Sequence, residues 1–346
     1  MISSRRPDVL GSGPLTFETL RHNSTNAATD GIWRVRGDGG SAILKRFRPG
    51  ADGYTGFWPT SDEPSHWNYW RREALAYTSG MAATAFPDIA PAPLLDADEH
   101  ELWLADVDGV DGFGWSVPRM ARFAYHLGVG QACWAGRVPD HPWLSRRWLA
   151  QYLAEGPVRS VRVQSADWDH PTLSIWPEPV RAALRDLWLH RDRVLAVAEA
   201  SQRTLCHLDV WPANLIDVDG RSTLLDWAFV GEGGIGEDLS NLIFDSFGDG
   251  LMDVALLPEL AEETTSAYLE GLRDGGWTGS SDDLRTNIAA CGAAKYAWFG
   301  PARVGIVARG DVGKANYATD SSVEQVVART APLVTLIVDW YGRVGR

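Results

Sequence analysis

The chain has 346 residues, of which 45% are hydrophobic and 22% charged, so it can bury a sizeable core and form two lobes. Its 17 Trp exclude a mainly disordered chain, and a net charge of -13 lacks the basic surface needed for non-specific binding to nucleic acid or anionic lipid. No run of about 18 apolar residues suggests a membrane span. The N-terminus has no apolar stretch after Arg5-Arg6, so no signal peptide is expected. Cys133, Cys206 and Cys291 are odd in number and widely spaced, which fits reduced thiols in a cytoplasmic protein.

In chain order, residues 14–20 read as a first strand. Residues 31–36 and 41–47 alternate apolar and polar around the turn Gly37-Asp38-Gly39-Gly40, which predicts a hairpin. Trp67, Trp70, Ala74 and Tyr77 at helical spacing predict a helix over 67–82. Short strands are expected near 94–95 and 102–105. After Asp106 the pattern turns helical, with helices over 118–134 and 180–201. The stretch 135–179, rich in Trp, Pro and Arg, has no assignment. Short strands at 204–216 and 223–227 precede helices over 258–273, 281–306 and 321–343, the last with a kink at Pro332. The expected layout is an α+β fold, with a β-rich lobe over 1–106 and a larger helical lobe over 107–346.

The informative segment is His207-Leu208-Asp209-Val210-Trp211-Pro212-Ala213-Asn214, followed by the apolar pair Leu224-Leu225 and then Asp226-Trp227. Phosphoryl transfer uses such a set. One carboxylate orients or accepts the proton of the attacking hydroxyl, and a second carboxylate and an amide oxygen hold Mg²⁺ against the phosphates. Asp209 suits the first role, and Asn214 and Asp226 suit the second. Taken singly, each would pass for a loop or capping residue.

This segment resembles the motif of the aminoglycoside phosphotransferase and choline kinase family, small-molecule relatives of the protein kinases. That family typically shows H-G-D-x-x-x-x-N, then an apolar pair and D-W or D-F. Here Leu208 stands at the usual Gly, and Trp211 where His is frequent. The resemblance implies a protein-kinase-like two-lobe fold. It also implies transfer from ATP, with GTP an alternative, and Mg²⁺ to a hydroxyl. Gly236-Glu237-Asp238-Leu239-Ser240 resembles the stretch whose Asp braces the catalytic loop, so Asp238, with His207, is expected to be structural.

The same resemblance sets expectations for the first lobe. Lysine occurs only three times, at Lys45, Lys295 and Lys314. Lys45, centrally placed in a strand, matches the lysine that pairs with the donor phosphates, and Glu73 the glutamate that steadies it. No glycine-rich phosphate loop is present. Ser24, Thr25 and Asn26 are small polar residues able to offer donors to phosphate oxygens. Asp106 and Val107 would form the linker beside the adenine.

Residues 232–283 hold 13 acidic residues against one basic residue, Arg273. Such a field would attract a cationic acceptor, for example an aminoglycoside, another antibiotic or an aminosugar. Choline-like amines and neutral sugars are alternatives. Trp211, Glu232, Asp245, Asp249 and Trp298 are the candidate acceptor contacts, with Asp253 a further acidic candidate and Tyr317 another aromatic. Monomer and homodimer are both compatible with the sequence. A protein kinase is a rival reading, opposed by Trp227-Ala228 in place of Phe-Gly. A kinase-shaped protein that binds ligand without turnover is a second.

Overall fold

The computed structural model of the chain describes residues 6–50, 58–155, 167–312 and 322–345. Its first lobe grows from the expected hairpin. Strands β1 (Thr16–Thr19), β2 (Thr29–Arg36) and β3 (Ser41–Phe47) pair antiparallel, and β5 (Leu94–Ala97) and β6 (Glu101–Ala105) complete a sheet in the order β1-β2-β3-β6-β5. The two-residue period of β3 divides its side chains between the faces. Ala42 and Leu44 join Leu10, Val35 and Trp103 in a small cluster on one face. Ile43 and Lys45 point the other way, into the cavity between the lobes.

Where a single helix over 67–82 is expected, the structure has α1 (Arg72–Thr78) and α2 (Met81–Thr84), separated by Gly80 at φ 78°. The preceding turn stays irregular because a side chain satisfies its carbonyls. Arg72, fully buried, donates Nη1 to the Trp67 carbonyl at 2.9 Å and Nη2 to those of Pro64 and His66 at 3.1 and 2.6 Å. Main-chain acceptors that water cannot reach need a donor from somewhere. Here the guanidinium supplies it, and Trp67 is freed to pack edge-on against Trp148 and stacked on Phe229 of the second lobe.

Short β4 (Ile89–Pro91) and β7 (Val110–Asp111) flank a hairpin of β9 (Leu215–Val218) and β10 (Arg221–Leu224), in the order β4-β10-β9-β7. A third sheet pairs β8 (Arg203–Cys206) with β11 (Gly231–Gly234). The helices are α3 (Val117–Trp134), α4 (Trp148–Glu155), α5 (Glu178–Ala200), α6 (Glu237–Gly248), α7 (Leu257–Asp274), α8 (Ser281–Lys295), α9 (Phe299–Arg309) and α10 (Val323–Val344). The unassigned stretch 135–179 thus contains α4 and a 3₁₀ turn at Pro171–Ile175, with 156–166 outside the described residues.

A further expectation is corrected. The helix expected over 281–306 is two, because the Phe299 N–H bonds back to the Tyr296 carbonyl in a tightened turn between α8 and α9. That break stacks the Tyr296 ring on Phe244, with centroids 3.7 Å apart, and places Trp298 on the cavity. α10 runs through Pro332 as one element. Ser321, the expected start of that helix, and Tyr317 lie outside the described residues.

One core cluster runs from Ala28 and Phe47 through Trp67, Trp148 and Trp227 to Tyr341, so the two lobes share buried apolar surface. Among the described residues no helix is long and apolar enough to cross a membrane. Cys133, Cys206 and Cys291 are unbonded, the last two buried.

Candidate functional site

The loop after β8 is built on a buried carboxylate. Asp238, at the start of α6, accepts from the main-chain N–H groups of His207 and Leu208 at 2.8 and 2.7 Å and from Gln131 Nε2 at 2.8 Å. This brace holds Leu208 at φ 68°, the left-handed region that favours glycine. The departure from the family's glycine therefore changes the side chain and keeps the loop in a glycine-like backbone conformation. The Leu208 side chain is fully buried, and its carbonyl accepts from Asn241 Nδ2 at 3.3 Å.

The loop presents Asp209, and a 3₁₀ turn at Pro212–Asn214 brings Asn214 back to it. Asn214 Nδ2 donates to Asp209 Oδ2 and to the Asp209 carbonyl, both at 2.9 Å. The β9–β10 hairpin then sets Asp226 alongside, the Leu225 N–H bonding the Asn214 carbonyl at 2.8 Å. Asp226 also adopts a left-handed conformation, φ 59°, which Asp tolerates better than most residues. His207 is buried edge-on against Trp227, and burial pushes its imidazole down to about 4, so it is neutral at pH 7.

From the other lobe Lys45 Nζ reaches Glu73 Oε2 at 2.5 Å and Asp226 Oδ1 at 2.8 Å. Burial opposes the Lys45 charge, but Asp226 and Glu73 outweigh it, so the ammonium is held charged. Burial also opposes the Asp226 charge, and Lys45 overcomes it, holding that carboxyl below its ordinary value. Glu73 goes the other way: burial raises it against the pull of Lys45. Asp209 is pushed up to about 7, first by burial and then by the Asp226 carboxylate, with Lys295 pulling against both. A general base works best with a pKa near the operating pH.

These groups open on one cavity of about 760 Å³. At one end Ile43, Leu104, Ala105 and Val107 make an apolar slot beside Asp106, whose carboxylate is engaged by Arg34 Nε at 2.8 Å. Beyond Asp209 the walls carry Trp211, Asp245, Asp249, Lys295 and Trp298.

Some expected residues are elsewhere. Asn26 lines the cavity, with Asn23 and Thr29, but Ser24 and Thr25 do not. The Thr25 hydroxyl and N–H both turn back onto Asn23 Oδ1, at 2.7 and 3.0 Å. Glu232 does not line the cavity: it sits on β11 in ion pairs with Arg146 at 2.6 Å and Arg203 at 3.5 Å. Asp253 caps a 3₁₀ turn through the Ala255 N–H. Of the 13 acids over 232–283, only Asp245 and Asp249 line the cavity, so most of that charge faces elsewhere. The sequence reading missed Lys295 and Tyr152, which line the cavity, and Arg72, which braces the turn before α1. Lys295 could have been marked by the scarcity of lysine, which is what drew attention to Lys45.

The oxygen donors suit a hard divalent cation. The Asn214 amide nitrogen is committed to Asp209, which leaves its oxygen for a metal beside the Asp226 carboxylate. Among the described residues no group of three or more His, Cys, Asp or Glu could hold a metal alone. Mg²⁺ asks for less, since phosphates and water complete its shell.

Residues 116–277 match the model of the phosphotransferase enzyme family. No curated protein matches the sequence. Among solved structures the chain is similar to an ethanolamine kinase of Plasmodium vivax, at 11% identity over 93% of this chain and 82% of that one, with a TM-score of 0.52. It is also similar to a microcompartment-associated aminopropanol kinase, at 14% identity over 96% and 94%, TM-score 0.50. A choline/ethanolamine kinase family protein from Mesorhizobium loti follows at 16% identity over 96% and 94%, TM-score 0.49. At these identities the likeness is one of fold. The match over 116–277 takes in Asp209, Asn214, Asp226 and Asp238, so the segment that carries most of the site is similar to the phosphotransferase enzyme family.

Proposed function

We propose that the protein transfers the γ-phosphoryl group of ATP, with Mg²⁺, to a hydroxyl of a small molecule that carries a cationic group. The observation that carries this reading is the meeting, on one cavity, of the Glu73–Lys45–Asp226 chain with the Asp209–Asn214 pair. Residues 1–106 form the nucleotide lobe, with Asp106 and Val107 beside the base, Asn26 near the phosphates, and Lys45, steadied by Glu73, on their oxygens. Asn214 and Asp226 hold Mg²⁺, which when bound neutralises phosphate charge.

Asp209 orients the acceptor hydroxyl and takes its proton as the oxygen bonds the γ-phosphorus. The bond from that phosphorus to the β–γ bridging oxygen breaks, and ADP leaves with the electron pair. Asp245 and Asp249 take the acceptor's cation, and Trp211 and Trp298 flank its apolar part. His207 and Asp238 hold the loop. Antibiotics, aminosugars and simple amino alcohols all satisfy this description.

The test is ADP release across a panel of hydroxyl-bearing amines. In Asp209→Ala, turnover should fall at least ~10²-fold, while the melting shift induced by Mg²⁺ and ATP persists. Turnover at the wild-type rate would reject the assignment.

A further inference from the structure

Among the described residues, Lys295 is the one lysine of the cavity that the proposed reaction does not use. It ends α8 with its side chain 7% exposed, wedged over the Trp148 ring at 5.2 Å and the Tyr296 ring at 5.4 Å. Its ammonium nevertheless lines the cavity on the acceptor side of Asp209.

An ammonium has three N–H donors, and burial makes unmet donors expensive. Among the described residues, the one carboxylate within ion-pairing range is Asp245, at 3.5 Å, beyond a normal N–H···O hydrogen bond. The oxygen concerned, Oδ2, already accepts from the Tyr296 hydroxyl at 2.7 Å. The other buried acids lie outside that range: Asp238 accepts from two main-chain N–H groups and Gln131, and Glu237 Oε2 from the Gly234 N–H. Lys295 is therefore a buried donor set turned toward the space where the acceptor must sit. Arg303 and Arg329 also line the cavity, Arg329 Nη1 donating to the Phe247 and Gly248 carbonyls.

We propose that the acceptor is amphoteric: the Lys295 ammonium binds a carboxylate on it, while Asp245 takes its ammonium. The acceptor would then be an amino acid or amino-acid-like compound bearing a free hydroxyl. This rests on the phosphotransferase reading and narrows its substrate class.

The experiment compares acceptors that differ by one carboxylate, serine against ethanolamine and tyrosine against tyramine, by ADP release with Mg²⁺ and ATP. The wild type should prefer the carboxylate-bearing member of a pair by at least ~10-fold in kcat/KM, about the discrimination of one charge-assisted contact. Lys295→Met should abolish that preference by raising the acceptor KM, with the KM for ATP and the ATP-induced melting shift unchanged. Lys295→Arg should restore part of it. Equal use of both members by the wild type, or a preference that survives in Lys295→Met, overturns the proposal. Binding of ATP with turnover of neither pair also overturns it, and leaves the phosphotransferase reading standing. Absence of any ATP-induced melting shift rejects that reading, and the acceptor class with it.

Discussion

Arg72 is the residue whose removal should reach furthest. It is fully buried, and no carboxylate faces it among the described residues. Its five hydrogen bonds all go to main-chain carbonyls: Nε to Trp143 at 2.8 Å, Nη1 to Trp67 at 2.9 Å and Ala228 at 3.2 Å, and Nη2 to Pro64 and His66. It thereby ties the start of α1, which carries Glu73, to the loop two residues beyond Asp226 and to the segment before α4. Arg72→Met keeps the length of the stem and removes every donor. Five carbonyls lose their partner at about 1 kcal/mol each, a gross loss of about 5 kcal/mol. Relief from burying a charge returns part of this, which leaves a net loss of about 2–3 kcal/mol. The urea unfolding midpoint should fall accordingly with little change in slope. At a temperature where the variant is folded, kcat/KM for ATP should fall about 10-fold, since Glu73 loses its anchorage. An unchanged midpoint would show that these carbonyls find other donors, and would refute the view that this guanidinium fixes the lobes to each other.

Three more outcomes follow from the geometry. Lys45→Met should abolish ATP turnover and also lower stability by about 3 kcal/mol, because it strands the buried Glu73 carboxylate; adding Glu73→Gln should recover part of the melting temperature and none of the activity. Leu208→Gly relieves a left-handed φ worth about 1 kcal/mol but empties a fully buried site worth about 2–5 kcal/mol, so chemical denaturation should show net destabilisation, and a stabilised variant would contradict the packing argument. Asp217 is held below its ordinary pKa by its hydrogen bond from Arg119, helped by the Gly220 N–H, against the effect of partial burial. A depressed carboxyl stabilises the fold above its unfolded pKa and loses that contribution as pH falls through its folded one. The deficit of Asp217→Asn, about 0.5–1 kcal/mol, should thus hold steady from pH 8 to 5 and shrink only below about pH 4; a deficit that grows on acidification would reverse the sign.

Much of the candidate site was legible in the residues because it is local in sequence. Asp209 and Asn214 are five residues apart, and the hairpin that delivers Asp226 is short, so turn chemistry and an apolar strand are enough to bring them together. Lys45 was legible for a different reason: a lysine amid apolar strand neighbours, in a chain with three lysines, is conspicuous. The alternation of β3 also decides that it shares a face with Ile43. What the order of residues did not disclose depends on contacts across long separations. The strands β4, β7 and β11 are too short to carry a pattern and exist through partners far along the chain. The helix over 67–82 lost its first turn to a guanidinium reaching across the lobes. The acidic run was visible as composition, but its direction was not, since helix phase and packing decide which two of its carboxylates meet the cavity. Local spacing can specify a motif. The burial of Lys295 among aromatic rings, and the charge the acceptor wall presents, arise only when α4, α6 and α8 pack together, because desolvation is a property of neighbours in space.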